Sequence, residues 1–435
     1  MYRGNFDNGD IHVGFSRDFD TAKGSTVVTL VRPLDATERL FYRWGERNPA
    51  HFSIVAEFGE VLAEDQVQAA LRAVQNRHPL LSVHVEDRPA SRLGFYRAES
   101  VAGIPLAVHE RDDSQWQLLA ADELARPLDR STAPLMRAVL LKGKSTSAVL
   151  LTFEHTIADG ISSVVILNDL VASLNGRRLT ARGVPPSQEE TIALRLPSPQ
   201  DQAIRVAAAA DPRMLKPNSI RPFDGTPSHV HAVALRSQDT ARLVDRSRTE
   251  GSTVHAAIVT AAARVHAALR GEDFVRVVSP INIRSSINVS EDCADYFTCT
   301  ITGMAPWDGS DFWDQARVVS GELAIARSAP SIAAVSRMIT QATPVDAETH
   351  TAEQLFAAGL PRDLMVSNLG VQDLTISGPI TPTALWGPLL NTQINGDYIT
   401  GVVTYQRRLR MVTCAYAPAA DYLKNLAATL VQVSS

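Results

Sequence analysis

Cysteine is scarce in this chain of 435 residues, which contains only Cys293, Cys299 and Cys414. Three thiols cannot build a disulfide framework, and their spacing fits no zinc-binding motif. Proteins that work in an oxidising compartment use cysteine differently, in even-numbered sets. We therefore expect three free thiols, buried or partly buried, in a protein of the cytoplasm.

Long hydrophobic runs are also missing. No stretch approaches the roughly 18 consecutive apolar residues that indicate a transmembrane helix. The first residues, 1–25, are polar and acidic, and they lack the apolar segment of a secretory signal. The sequence therefore predicts neither a membrane span nor a secretory signal.

Positive charge is not in excess, because 42 lysines and arginines face 47 aspartates and glutamates, for a net charge of −5. This balance argues against a nucleic-acid partner and against a basic membrane anchor. Phosphate-binding Walker loops, dinucleotide fingerprints and the Gly-x-Ser-x-Gly elbow are absent as well. Nucleotide hydrolysis, hydride transfer and an α/β-hydrolase serine mechanism are therefore disfavoured.

The length of the chain exceeds what one compact core usually serves, so two domains are expected. Both halves mix helical and strand patterns, which predicts the α/β class. We divide the chain into a polar N-terminal extension (1–25), an N-terminal domain (26–175), a proline-rich connecting segment (176–228) and a C-terminal domain (229–435).

One stretch carries chemistry: AVLLTFEHTIADGISSVV, residues 148–165. Its apolar run predicts a buried strand that ends near Phe153, and His155 follows where the backbone leaves the sheet. A histidine can accept and return a proton near neutral pH. Asp159 and Gly160 predict a sharp turn, because glycine tolerates positive φ and aspartate bonds to nearby backbone amides or to an arginine. The pattern indicates a general base held in front of an anchoring helix.

Two plainer interpretations compete with that one. A single histidine at the end of a strand is more often a satisfied structural residue than a catalytic one. Glu154, His155 and Asp159 together contain metal-ligating groups, but a strand followed by a turn does not bring them to one face. We therefore predict no metal site.

The stretch resembles the His-His-x-x-x-Asp-Gly motif of the condensation-domain superfamily. That superfamily includes nonribosomal peptide condensation domains, polyketide-associated acyltransferases, wax-ester synthases and, more distantly, chloramphenicol acetyltransferase. Four further stretches resemble motifs of the same family and occur in the same order along the chain. The ordered set of motifs identifies the family more specifically than any single motif does. The four stretches are LDATERLFYRWGERNPAHFSIVAEF, RHPLLSVHV, VVSPINIR and DLMVSNLG, so the resemblance extends over about residues 30–430.

The resemblance implies two chloramphenicol-acetyltransferase-like α/β sandwich domains in a V arrangement, with a tunnel between them. In such a fold His155 matches the histidine that deprotonates the acceptor, which then attacks an acyl thioester. Both substrates meet at this residue from opposite tunnel mouths, so no covalent acyl-enzyme is needed.

Other matched positions imply supporting roles. Asp159 and Arg284 match an ion pair that holds the active-site loop, and Gly160 matches the close turn of that loop. Ser367 and Asn368 match the late strand of the family, where they would contact the oxyanion or the acceptor.

The sequence departs from the family at two places. Glu154 replaces the first motif histidine, and its alternation with His155 predicts that its side chain points to the other side, toward a buried basic group or toward solvent. The segment DCADYFTCTI, residues 292–301, replaces a glycine-containing strand, which predicts a changed tunnel shape.

The resemblance implies an acyltransferase that moves an acyl group from a thioester to an alcohol in polyketide, lipid or other secondary metabolism. An amide-forming condensation enzyme and a non-catalytic carrier-protein docking module are the alternatives. No bound cofactor is expected, since acyl-CoA or a phosphopantetheine-linked acyl thioester serves as substrate. The expected partners are a small-molecule acceptor and an acyl carrier protein or polyketide synthase, and the expected form is a monomer. The acyl chain, the donor form and the acceptor stay open.

Overall fold

A computed structural model describes residues 28–87, 93–110, 115–196, 211–289, 291–374, 378–419 and 421–435. The predicted extension over residues 1–25 lies outside these ranges. The described chain mixes helices and sheets throughout, in agreement with the α/β class.

Fourteen strands are described, and their bounds are as follows. They are β1 (Val28–Pro33), β2 (His51–Phe58), β3 (His84–Glu86), β4 (Gly94–Ala98), β5 (Leu106–Glu110), β6 (Met136–Lys142), β7 (Ser147–Glu154), β8 (His229–Ala234), β9 (Val275–Asn282), β10 (Phe297–Met304), β11 (Leu364–Val371), β12 (Pro382–Leu390), β13 (Tyr398–Tyr405) and β14 (Arg408–Ala415).

The α-helices of the described ranges follow the same order. They are α1 (Ala36–Trp44), α2 (Glu64–Arg77), α3 (Trp116–Leu124), α4 (Gly160–Leu174), α5 (Gln188–Arg195), α6 (Ser237–Thr249), α7 (Val254–Arg270), α8 (Phe312–Ala326), α9 (Ala329–Ala342), α10 (Thr349–Gln354) and α11 (Tyr422–Val433).

The strands form three sheets among the described residues. A five-stranded sheet has the order β12-β2-β7-β6-β5, a six-stranded sheet has the order β10-β9-β11-β13-β14-β8, and β1-β4-β3 form a small third sheet. One strand crosses between the halves of the chain: β12 pairs antiparallel with β2, with Trp386 opposite Val55. The C-terminal half therefore supplies the edge strand of the N-terminal sheet, a feature that the sequence did not suggest.

β7 is buried along its whole length, which explains its uninterrupted apolar run. Val149 and Leu151 belong to the main hydrophobic core, whereas Ala148 and Leu150 belong to a second cluster that includes residues of α3. Because both faces of the strand are covered, the sequence shows no alternation of polar and apolar residues. β6 and β7 are antiparallel neighbours.

A capping box begins α1. Asp35 accepts a hydrogen bond from the backbone N–H of Glu38 at 2.9 Å, and the Glu38 carboxylate accepts one from the backbone N–H of Asp35 at 2.8 Å. This reciprocal cap fixes the first turn of the helix. Phe41, one turn further along, is thereby positioned at the site described below.

Two side chains at the end of α2 hold α4 in place. Arg77 donates from Nε to the Asp169 carboxylate at 2.6 Å, and the His78 ring lies 2.7 Å from the same oxygen. Asp169 lies on α4. The RHPLL stretch therefore anchors α4, whose N-terminus carries the Asp-Gly turn.

In the described ranges no single helix is long and apolar enough to cross a membrane. The pair α8 and α9 would satisfy the length and composition criteria only together, and it is bent by 70°.

Candidate active site

The loop between β7 and α4 is held by an ion pair. Asp159 caps α4 by accepting a hydrogen bond from the backbone N–H of Ser162 at 2.8 Å. The guanidinium of Arg284 donates to both carboxylate oxygens of Asp159, at 2.6 and 2.9 Å, and both side chains are buried. Burial raises the pKa of Asp159, but the Arg284 charge and the hydrogen bonds to the carboxylate together outweigh burial, and the net pKa is lowered. The structure thus joins the two residues in the bidentate geometry that favours an ionised pair.

The same pair ties the loop to the segment that precedes β10. Arg284 also donates to the Ser162 hydroxyl at 2.9 Å and to the Ala294 carbonyl at 3.0 Å. Tyr296 donates its backbone N–H to Asp159 at 2.9 Å. The loop that carries the candidate histidine is therefore held rigid against the C-terminal half.

The structural reason for glycine at position 160 differs from the positive φ that the sequence suggested. Gly160 is the first residue of α4, and its φ does not lie in the positive region. A Cβ at this position would come within 2.7 Å of Cδ2 of Leu369, on β11. The prediction of a positive-φ turn is wrong, and the close approach of β11 is the physical reason for glycine.

His155 lies directly after β7 and lines a cavity. Its ring stacks on Phe41 at a centroid distance of 4.1 Å and an interplanar angle of 2°, with Phe52 and Phe297 at 5.1 and 5.5 Å. Its side chain is 14% exposed. The aromatic rings hold the imidazole in one orientation while leaving part of it accessible.

Asp295 faces the same imidazole, and sequence reasoning missed it. Its Oδ1 lies 3.5 Å from Nδ1 of His155, and its side chain is fully buried. Neither carboxylate oxygen has a hydrogen-bond partner within the described part of the chain. The only signal in the sequence was that the segment around Asp295 departs from the family pattern. Because Nδ1 faces Asp295, Nε2 lies on the opposite side of the ring.

The two groups perturb each other. Burial lowers the pKa of His155, but the Asp295 carboxylate raises it, and the net pKa lies above the ordinary value. Burial raises the pKa of Asp295 to about 7, although His155 opposes the change. The protonation of each group therefore depends on that of the other, so the pair titrates as a coupled unit.

Replacing Asp295 with asparagine tests this coupling through the pH dependence of the rate. Without the carboxylate, the lowering effect of burial on His155 loses its main opponent, so the pKa of His155 falls. We expect the acid limb of a plot of log(kcat/KM) against pH to move to lower pH. A purely structural residue would lower the rate at every pH without moving that limb, so an unmoved limb would contradict the coupling.

The cavity has a volume of about 450 Å³ and lies between the two halves of the chain, with a mostly apolar lining. Ser367 and Asn368 of β11 line the same cavity as His155, so the structure brings these predicted site residues together. Asn368 accepts a hydrogen bond from the backbone N–H of Gly370 at 2.8 Å through its side-chain oxygen. Its amide NH₂ therefore remains as the donor group.

Glu154 points away from the cavity. It is 3% exposed, and its carboxylate accepts a hydrogen bond from the backbone N–H of Thr156 at 2.6 Å. Burial raises the pKa of Glu154, although nearby Arg130 opposes the change. The interpretation in which this side chain faces solvent is wrong, because the side chain is buried. Its hydrogen-bond partner is a backbone N–H, and the basic group Arg130 acts on it only through its charge.

The three cysteines are free, and two of them, Cys293 and Cys414, are buried, as the sequence predicted. Cys299 is partly buried and lines the cavity, where burial raises the pKa of its thiol to about 12. This thiol therefore stays protonated at neutral pH.

Comparison with known proteins places the geometry in context. The family model described as "Condensation domain" matches residues 45–185. Phosphinothricin tripeptide synthetase PhsC of Streptomyces viridochromogenes is 41% identical over 70 residues, which is 16% of this chain and 6% of that protein. Beauvericin nonribosomal cyclodepsipeptide synthetase BEA1 of Gibberella fujikuroi is 27% identical over 238 residues, or 51% of this chain and 8% of that protein. The matched parts are therefore small fractions of these relatives' lengths.

Solved structures resemble the whole described chain. Polyketide synthase associated protein 5 from Mycobacterium tuberculosis superposes with a TM-score of 0.66 at 17% identity, covering 94% of this chain and 98% of that one. The first condensation domain of the CDA synthetase also superposes with a TM-score of 0.66. The prediction of two chloramphenicol-acetyltransferase-like lobes of the α/β class is thereby confirmed.

Proposed function

Because the chain has the condensation-domain fold and matches that family's model over residues 45–185, we propose that it is an acyltransferase that moves an acyl group from a thioester to an alcohol. The observation that carries the proposal is the position of His155 on the cavity wall, with Nδ1 turned to Asp295. This orientation leaves Nε2 for the acceptor. A buried base with a carboxylate behind it is the arrangement that general-base catalysis requires.

The proposed reaction is a direct transfer. Nε2 of His155 takes the proton of the acceptor hydroxyl while its oxygen forms a bond to the thioester carbonyl carbon. The carbon–sulfur bond of the tetrahedral intermediate then breaks, and the proton passes from the imidazolium to the leaving thiolate. The amide NH₂ of Asn368 and the hydroxyl of Ser367 are the proposed donors to the oxyanion.

The cavity favours an alcohol over an amine as acceptor. Asp159 is the one carboxylate in the described lining, and Arg284 occupies it with two hydrogen bonds. An ammonium group that entered this apolar space would find no free counter-charge, which is costly, whereas a neutral hydroxyl needs none. The cyclodepsipeptide synthetase relative is compatible with this choice, because a depsipeptide contains ester bonds as well as amide bonds.

The proposed donor is acyl-CoA or an acyl group on the phosphopantetheine arm of a carrier protein. Synthetases such as the phosphinothricin tripeptide synthetase relative support a carrier-bound donor. We place the reaction in the cytoplasm, which the three free cysteines favour.

Mass spectrometry of the protein incubated with acyl-CoAs, acylated carrier proteins, alcohols and amines tests the proposal. An ester product that appears together with free thiol is the expected result. Amide products formed in preference to esters would overturn the alcohol assignment in favour of the condensation alternative. Carrier-protein binding without any turnover would overturn the enzyme assignment in favour of a docking module.

A further inference from the structure

Arg362 is a buried charge on the wall of the apolar cavity. It lies just before β11, the strand that carries Ser367 and Asn368, and its side chain is 1% exposed. Together with Asp159, it is one of the two charged side chains in the described lining. A guanidinium in such a place normally uses all of its donors.

The guanidinium leaves one nitrogen without a partner. Nε faces the Asp397 carboxylate at 3.2 Å, and Nη1 donates to the Leu360 carbonyl at 3.2 Å. Nη2 is buried and has no partner within the described ranges. Leaving such a donor unsatisfied costs free energy, which a ligand atom can recover.

Arg276 shows what a fully satisfied arginine looks like at the same end of the sheet. Its Nε and Nη2 donate to Asp363 at 3.0 and 2.7 Å, and its Nη1 donates to the Lys216 carbonyl. Arg276 is equally buried but lies outside the cavity wall. The difference between the two arginines is therefore the unpartnered nitrogen of Arg362 and the place of this residue on the cavity wall.

The backbone places Arg362 away from the reacting end of the cavity. β9 and β11 run parallel, with Leu364 opposite Val277. Leu369, toward the other end of β11, contacts the Gly160 turn beside His155. The five residue-to-residue steps from Leu364 to Leu369 span about 16 Å of extended strand. A group held by Arg362 is thus remote from the transferred acyl carbon.

We propose that Nη2 of Arg362 binds an oxygen acceptor, a carboxylate or a carbonyl, at the far end of an otherwise apolar substrate. This inference rests on the proposed acyl transfer and adds the class of substrate. The Thr392 hydroxyl already donates to Asp397 at 2.5 Å, so it does not compete for the substrate oxygen. The apolar lining selects the body of the molecule, and Arg362 selects its oxygen-bearing end.

The test compares three ligands of one chain length: a terminal-hydroxy fatty acid, its methyl ester and the plain alcohol. In the R362K variant, lysine keeps the charge beside Asp397 but has no second branch for the substrate. We expect R362K to raise KM about ten-fold or more for the acid or the ester, with little change in kcat and little change for the plain alcohol. Arg276→Lys is the matched control and should leave all three unchanged.

Acyl thioesters that end in a carboxylate or in a methyl group extend the comparison to the donor. If R362K raises KM selectively for the oxygen-bearing form of either the acceptor or the donor, the assignment is supported. If KM rises equally for all ligands, or for none, the assignment is overturned. If R362K does not fold, Arg362→Met combined with Asp397→Asn removes both charges together and serves instead.

Calorimetric titration separates this inference from the proposed function. Weaker binding of the fatty acid to R362K, in the absence of any turnover, would uphold the Arg362 site while the acyl transfer fails. Unchanged binding of the fatty acid to R362K, together with normal turnover, would overturn the Arg362 site and leave the proposed acyl transfer intact.

Discussion

Replacing His155 with alanine is expected to lower kcat by about 10²–10⁴-fold, the range typical for the loss of a general base. The imidazole is the titratable group that reaches the cavity beside the two proposed oxyanion donors. Without it, the acceptor hydroxyl keeps its proton and attacks the thioester poorly. The measurement is release of free thiol in the presence of acceptor, followed under saturating substrate.

The matched control is His255→Ala. His255 is partly buried, its Nε2 lies 3.0 Å from the Ser279 hydroxyl, and burial lowers its pKa to about 4. It lies outside the cavity wall, so this variant should keep kcat within about two-fold if the protein stays folded. Near-normal turnover in folded His155→Ala would remove the catalytic assignment.

Replacing Asp159 with alanine is expected to destabilise the fold by about 3–5 kcal/mol, because it leaves the buried Arg284 charge uncompensated. It also removes the cap of α4 and the acceptor for the Tyr296 backbone N–H. Urea unfolding followed by circular dichroism measures the change. Glu110→Ala, which breaks a 3.2 Å contact with Lys142 at the surface, should cost at most about 1 kcal/mol.

The double variant Asp159→Asn with Arg284→Met separates charge from packing. If the lone guanidinium causes most of the loss, removing both charges should restore part of the stability. A double variant as unstable as Asp159→Ala would show instead that the hydrogen bonds of the pair matter more than its charges.

The Asp159–Arg284 pair also gives a pH dependence of stability. The pKa of Asp159 is lower in the folded protein than in the unfolded chain. The contribution of Asp159 to the free energy of unfolding is therefore complete above the ordinary carboxyl pKa, near 4. It disappears as the pH falls through the lower pKa that Asp159 has in the folded protein. Wild type should lose stability on acidification in this window more steeply than the double variant does.

The sequence was sufficient where the chemistry is local. The strand β7, the helix α4 and the turn between them follow from residues adjacent in the chain. The match to an ordered family pattern placed Arg284, 125 positions beyond Asp159, opposite that residue.

The sequence was insufficient where distant segments meet without a family match. Asp295 contacts His155 across 140 positions, and apart from the departure of its segment from the family pattern nothing in the sequence distinguishes it from a surface acid. Gly160 was correctly placed but for the wrong reason, because the approach of Leu369 from β11 exists only in the folded protein. Arg362 looked like an ordinary polar residue before a strand. Burial and the lack of a partner for one nitrogen are properties of packing that composition does not reveal.

The pairing of β12 with β2 links the two halves of the chain. β12 belongs to the second half of the chain, and its backbone forms hydrogen bonds to β2 at the edge of the first half's sheet. The second half is therefore attached to the first half's sheet through β12 as well as through the covalent chain. Without β12, the first half alone would expose β2 as an unpaired edge strand. Such edges promote aggregation, because they can pair with strands of other chains.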